Sequence, residues 1–147
     1  MSMNGPSYRF RLERVRALRE RHEEQVKQEF AVALQARQHR EDEVARTRAR
    51  IDSARRAQLD ASPDDLRAHQ SYVERLEHVL QLEIEELVRC EVELSERRVA
   101  LTKASQDLEA LERLKEKGRE DHNREAARVE QIILDEIAGN GYWRRAA

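Results

Sequence analysis

The chain has 147 residues, 39% of them charged and 4% aromatic, and its formal net charge is −2 with a mean hydropathy of −0.93. Four glycines, two prolines and an abundance of Ala, Glu, Leu, Arg and Gln are the composition of long helices, and they argue against a deep core with a concave, mostly apolar catalytic pocket. No apolar run approaches the ~18 residues of a membrane span, the first residues lack the apolar stretch of a secretory signal, and a lone cysteine excludes an internal disulfide.

Residues 1–7 read as a loose lead-in, with Gly5-Pro6 as punctuation and Ser7 as a candidate N-cap. Neither Gly nor Pro recurs until Pro63, so residues 8–60 are expected to form one helix. Its apolar stripe is thin: Tyr8, Leu12 and Val15, then Val26, Phe30 and Ala33, then Val44, Thr47, Ile51 and Ala54. Arginines along it can lay their methylene stems on the stripe while the guanidinium groups reach water.

Residues 61–63 form the expected hinge. Ser62 can cap a second helix, Pro63 suits its first turn, and Asp65 can return a hydrogen bond to the serine in capping-box fashion. So short a connection folds the second helix back beside the first. The fold class predicted is all-α, a long antiparallel two-helix coiled coil in a single domain, with the second helix over 64–138, a C-terminal overhang and a tail over 139–147.

The second helix carries the stronger signal. Alternating steps of three and four residues pass through Leu66, His69, Val73, Leu76, Leu80, Glu83, Leu87, Cys90, Leu94, Arg97, Leu101, Ala104, Leu108 and Leu111. A straight helix drifts off such a stripe by about 20° per heptad, so a chain that keeps it supercoils around a partner. Cys90 lies in this seam and reads as a small buried thiol. Charge favours the pairing, because residues 8–60 carry 14 basic and 10 acidic residues whereas 64–138 carry 12 and 20. Exposed pairs are worth only a few tenths of a kcal/mol each, so they guide register while apolar burial holds the hairpin.

Folding about residue 62 sets Tyr8 opposite roughly residue 116 and leaves the second helix unpaired from Lys117 onward. Gly118 at that point reads either as a flexible joint or as a tolerated glycine. Beyond it Val129, Ile132, Ile133 and Ile137 form an apolar face. Gly139-Asn140-Gly141 then reads as a helix stop, and Tyr142-Trp143-Arg144-Arg145 as a short tail.

Two surfaces exceed what a bare hairpin needs. Near the hinge, Tyr72, Leu76, Val79 and Glu83 run four, three and four apart, so with Val73 and Leu80 the apolar face is broader than one partner helix covers. It reads as imperfect burial or as a docking patch. At the opposite end Arg9, Arg11, Arg14, Arg16, Arg19 and Arg21 crowd the start of the first helix, where positive charge opposes the macrodipole. Glu112, Glu116, Glu120, Asp121 and Glu125 lie within reach to compensate, or the whole end enters a partner's socket. Nucleic acid is not favoured, because aromatic interleaving is missing and the chain is slightly acidic. The five histidines show no metal-ligand spacing, and the glycines form no phosphate loop. No catalytic residue, cofactor or metal site is expected.

The segments from Phe10 to Glu24 and from Leu108 to Ala138, with their Leu-Glu-x-Leu and Glu-Gln-x-x-Leu-Asp-Glu order, resemble the flagellar export protein FliJ family over almost the whole chain. The resemblance implies a soluble, non-enzymatic component of the bacterial flagellar type III export apparatus, similar to the central stalk of rotary ATPases. It also implies a place at the cytoplasmic face of the inner membrane without insertion into the bilayer. It further implies that the end bearing both termini enters the hexameric export ATPase FliI, through Arg9, Arg11, Arg14, Arg16, Arg119, Glu125, Val129, Ile132 and Ile133. The hinge side would meet the cytoplasmic domain of the export-gate protein FlhA. The family's gate-binding row matches Tyr72 and Leu76, has Val79 in place of a small residue, and departs at Glu83. Export chaperones are implied as further partners. An injectisome stalk protein, or a structural or adaptor coiled coil unrelated to export, are the alternative readings.

Overall fold

In the computed structural model, which describes residues 7–146, the chain forms two α-helices and no strand among the described residues: α1, Glu13–Gln58, and α2, Pro63–Ala146. The expectations for residues 1–6 and for residue 147 lie outside the described residues. The two helices pack against each other as a helical hairpin, and the packing divides into two compact units. One, the hinge unit, spans His22–Ala104; the other, the terminal unit, runs up to Arg21 and from Ser105 onward.

The hinge unit turns where the second helix is capped. The Ser62 hydroxyl donates to Asp65 Oδ2 at 2.7 Å and accepts from the Asp65 N–H at 3.4 Å, while Leu66 N–H bonds the Ser62 carbonyl at 2.9 Å. The side-chain bond returns to the serine hydroxyl and not to its backbone N–H, a variant of the expected box. Asp64 and Asp65 in the first turn suit the positive end of the helix.

Two complementary seams hold this unit. On α2 the predicted positions from His69 to Ala104 are all buried or half-buried, and only Leu66, at the bend, stays exposed. On α1 the matching row is Glu23, Val26, Phe30, Ala33, Arg37, Arg40, Val44, Thr47, Ile51, Ala54 and Gln58, again in steps of three and four and again all buried or half-buried. Ile51, Ala54, Val73 and Leu76 make the tightest cluster, with Leu80 packed against it. Burying a Val, Leu or Ile side chain fully contributes roughly 1.5–3 kcal/mol, well above an exposed ion pair at about 0–1 kcal/mol. The cross-helix pairs Arg37–Glu91 at 3.7 Å and Arg97–Glu29 at 2.8 Å therefore report the antiparallel register more than they create it.

In the terminal unit the start of α1 differs from expectation. The helix begins at Glu13, not at residue 8, so Ser7 does not cap it. Arg9 and Arg11 would bring positive charge to a positive helix end, whereas Glu13 in the first turn complements it. Residues 7–12 instead reach α2 in non-helical form. Similarly, α1 ends at Gln58 and Leu59-Asp60 form a turn.

The far end of α2 is a larger correction. Gly139-Asn140-Gly141 does not stop the helix, which continues to Ala146 through Tyr142, Trp143, Arg144 and Arg145. A glycine stop requires the left-handed conformation at C′, and no described glycine has a positive φ. Arg144 and Arg145 fall in the last turn, where cations suit the negative helix end.

Candidate docking surfaces

The terminal unit is built on an extension of the α2 seam. Stepping on from Leu108 and Leu111 gives Lys115, Gly118 and His122, all half-buried, and these meet the first residues of the chain. The Tyr8 ring lies over Gly118, where an added Cβ would overlap its hydroxyl. The same ring stands against His122, with centroids 5.7 Å apart and planes tilted by 42°. Gly118 is thus neither a joint nor merely tolerated: it is the gap that admits Tyr8. The pairing expected near residue 116 falls at 118–122.

Ion pairs accompany this contact. Glu13 accepts from Arg16 at 2.7 Å and from Lys115 at 3.0 Å. First the Arg16 hydrogen bond and then that of Lys115 hold the Glu13 carboxyl well below its ordinary 4.5, at about 2. Arg16 also approaches Glu112 at 4.0 Å, and Arg19 reaches Asp107 at 3.7 Å. Some of the acidic residues expected to compensate the arginines serve α2 itself, since Glu116 pairs with Arg119 and Glu125 with Arg128, each at 2.7 Å. The Arg128 hydrogen bond draws the Glu125 carboxyl down as well.

Of the residues that the resemblance assigns to the ATPase, Arg9, Arg11, Arg14, Arg119 and Glu125 are exposed, whereas Arg16 is half-buried within its ion pairs. Val129, Ile132 and Ile133 are 45–47% exposed. Every described residue beyond His122 is exposed. Because α2 continues through the glycines, Trp143 extends the same helix face at seven-residue spacing from Glu136 and fourteen from Val129. Tyr142 stands edge-on to it with ring centroids 6.5 Å apart. Reading 139–147 as a tail hid this continuation, which a longer count at steps of three and four would have found.

In the hinge unit the predicted row does not lie on one surface. Tyr72 and Val79 are exposed, at 42% and 43%, but Leu76 is 8% exposed and belongs to the core cluster with Ile51. Leu76 occurs in both rows that the sequence suggests, and the seam claims it. Glu83 is half-buried, and its Oε2 is buried without a hydrogen-bond partner. A shallow recess of about 270 Å³ beside Tyr72 is lined by Asp65, Ala68 and His69, so the accessible apolar surface here is Tyr72 with its recess and Val79. Cys90 is half-buried in the seam.

No described helix is long and apolar enough to cross a membrane, and the described residues contain no cluster of His, Cys, Asp or Glu suited to a metal ion. The seams are spent on each other, and the uncovered end of α2 is the surface left for other proteins. Residues 8–147 match the family model described as Flagellar FliJ protein. No curated protein and no solved structure matches the chain. With the match covering nearly the whole sequence, the chain belongs to the flagellar FliJ family, a non-catalytic component of the flagellar type III export apparatus.

Proposed function

We propose that this chain acts without chemistry of its own as a stalk that links the export ATPase ring, FliI, to the export gate, FlhA, and assists the handling of substrate chaperones. It would work at the cytoplasmic face of the inner membrane, held there by the apparatus. The observation that carries the ATPase half is the exposed apolar end of α2, Val129, Ile132 and Ile133; Arg9, Arg11 and Arg14 of the same unit are exposed as well. A helix with that much exposed apolar surface is favoured to bury it against a partner. Support for the gate half is narrower and comes from Tyr72 and Val79, with Leu76 acting from beneath as core.

Co-sedimentation with the FliI hexamer tests the first half: Ile132→Asp with Ile133→Asp should abolish it, and undiminished pelleting of the variant would overturn that assignment. Pull-down by the FlhA cytoplasmic domain tests the second. Tyr72→Ala with Val79→Ala should lower both capture and motility, and wild-type values for both would remove the gate from this surface.

A further inference from the structure

In the terminal unit the α2 seam runs on from Ala104 through Leu108, Leu111, Lys115, Gly118 and His122, all buried or half-buried. Over Gly118 and His122 its cover is not a helix. Residues 7–10 have no helical form and residues 11–12 make a turn. Burial alternates along them, with Tyr8 and Phe10 half-buried and Ser7 and Arg9 exposed, as on the two sides of an extended stretch. The three atoms nearest to a Cβ added at Gly118 all belong to Tyr8, and the same ring stands against His122. Helix seam is thus closed here by a short extended segment.

The same steps of three and four lead from His122 through Glu125 to Val129 and Ile132. A partner helix lying on Val129 and Ile132 has two directions in which to extend its contact. Toward the C-terminus the line meets Glu136 and Gly139, which offer little apolar surface. Toward the hinge it meets Tyr8 at His122, about 10 Å from Val129 along the helix, and beneath that ring lies a seam already spaced to receive a helix. We propose that residues 7–12 form a strap that closes this stretch of the seam in the isolated chain, and that the ATPase lifts it on binding the exposed end of α2. The proposal rests on the ATPase assignment above and adds an autoinhibitory contact to it. A partner that must displace the strap binds with an affinity reduced by the fraction of chains in which the strap is open. Half-burying one aromatic ring corresponds to roughly a tenfold bias toward the closed form.

Titration of the full-length chain against the FliI hexamer tests this with Tyr8→Ala, which removes the ring from a position outside both helices. The variant should bind about tenfold more tightly than the wild type. Iodination of the Tyr8 phenol in the wild type, followed by peptide mass spectrometry, should quicken when FliI is added. Equal or weaker binding of Tyr8→Ala, or iodination of Tyr8 that is unchanged or slowed in the complex, would overturn the strap and leave the ATPase assignment standing. Absence of FliI binding by wild type and variant alike would instead remove that assignment, and the lifting of the strap with it.

Discussion

The Tyr8 ring sits in the gap left by Gly118, and a side chain at that position would overlap the phenol hydroxyl. This contact carries the non-helical start of the chain onto α2 and marks the limit of the pairing, since beyond His122 every described residue of α2 is exposed.

It follows that the value of Gly118→Ala depends on Tyr8. Alanine in a helix interior is worth about 1 kcal/mol over glycine. On a Tyr8→Ala background the change should therefore stabilise by about that amount, while in the wild type displacement of the ring should offset the gain. A double-mutant cycle by urea denaturation reads the coupling, and additive effects would show that the ring does not occupy this gap.

Docking of the N-terminal stretch should also depend on pH. The Glu13 carboxyl is lowered to about 2 by Arg16 and Lys115, so its ion pairs stabilise fully above its ordinary value of 4.5 and fade as pH falls through the window toward 2. Amide exchange of residues 8–16, followed from pH 6 downward with correction for intrinsic rates, should show protection falling in that window. Glu13→Gln should flatten the dependence.

The two halves of the hinge-side row should separate by stability. Leu76→Ala removes a buried side chain from the cluster with Ile51, Ala54 and Val73 and should cost about 2–5 kcal/mol. Tyr72→Ala and Val79→Ala, at exposed positions, should each stay within about 0.5 kcal/mol. Equal losses at all three would put Tyr72 and Val79 in the core as well.

Glu83 should yield the opposite sign. It occupies a seam position, and one carboxylate oxygen is buried without a hydrogen bond. Replacing an unsatisfied polar group by an apolar one of similar size removes a desolvation cost of about 1–3 kcal/mol. Glu83→Leu should accordingly raise the thermal midpoint; a lowered midpoint would indicate that the carboxylate has a partner in solution.

These residues also mark what could be read in advance. The α2 seam was legible because leucine recurs along it so densely that a 3.5-residue period is unmistakable. The α1 seam was only half legible: Glu23, Arg37, Arg40 and Gln58 occupy core positions, and polarity conceals them from any reading that looks for apolar residues. Ser62 and Asp65 announced the bend through local hydrogen-bonding chemistry. Gly118 and Gly139 to Gly141 misled because a glycine's meaning depends on what approaches it. At Gly118 the cause is a ring from more than a hundred residues away in sequence, and at Gly139 and Gly141 no left-handed turn forms. Leu76 fitted two overlapping rows, and only packing decides between them.

The central claim is that the end of α2 is an exposed helix face until a partner covers it. Hydrogen–deuterium exchange of the full chain, dilute enough to be monomeric, with and without the FliI hexamer, tests this most directly. Residues 123–146 should exchange fast in the isolated chain and slow markedly when the ATPase is added, with residues 26–54 protected in both. Strong protection of 123–146 in the isolated monomer, or no change there while the ATPase binds, would contradict it.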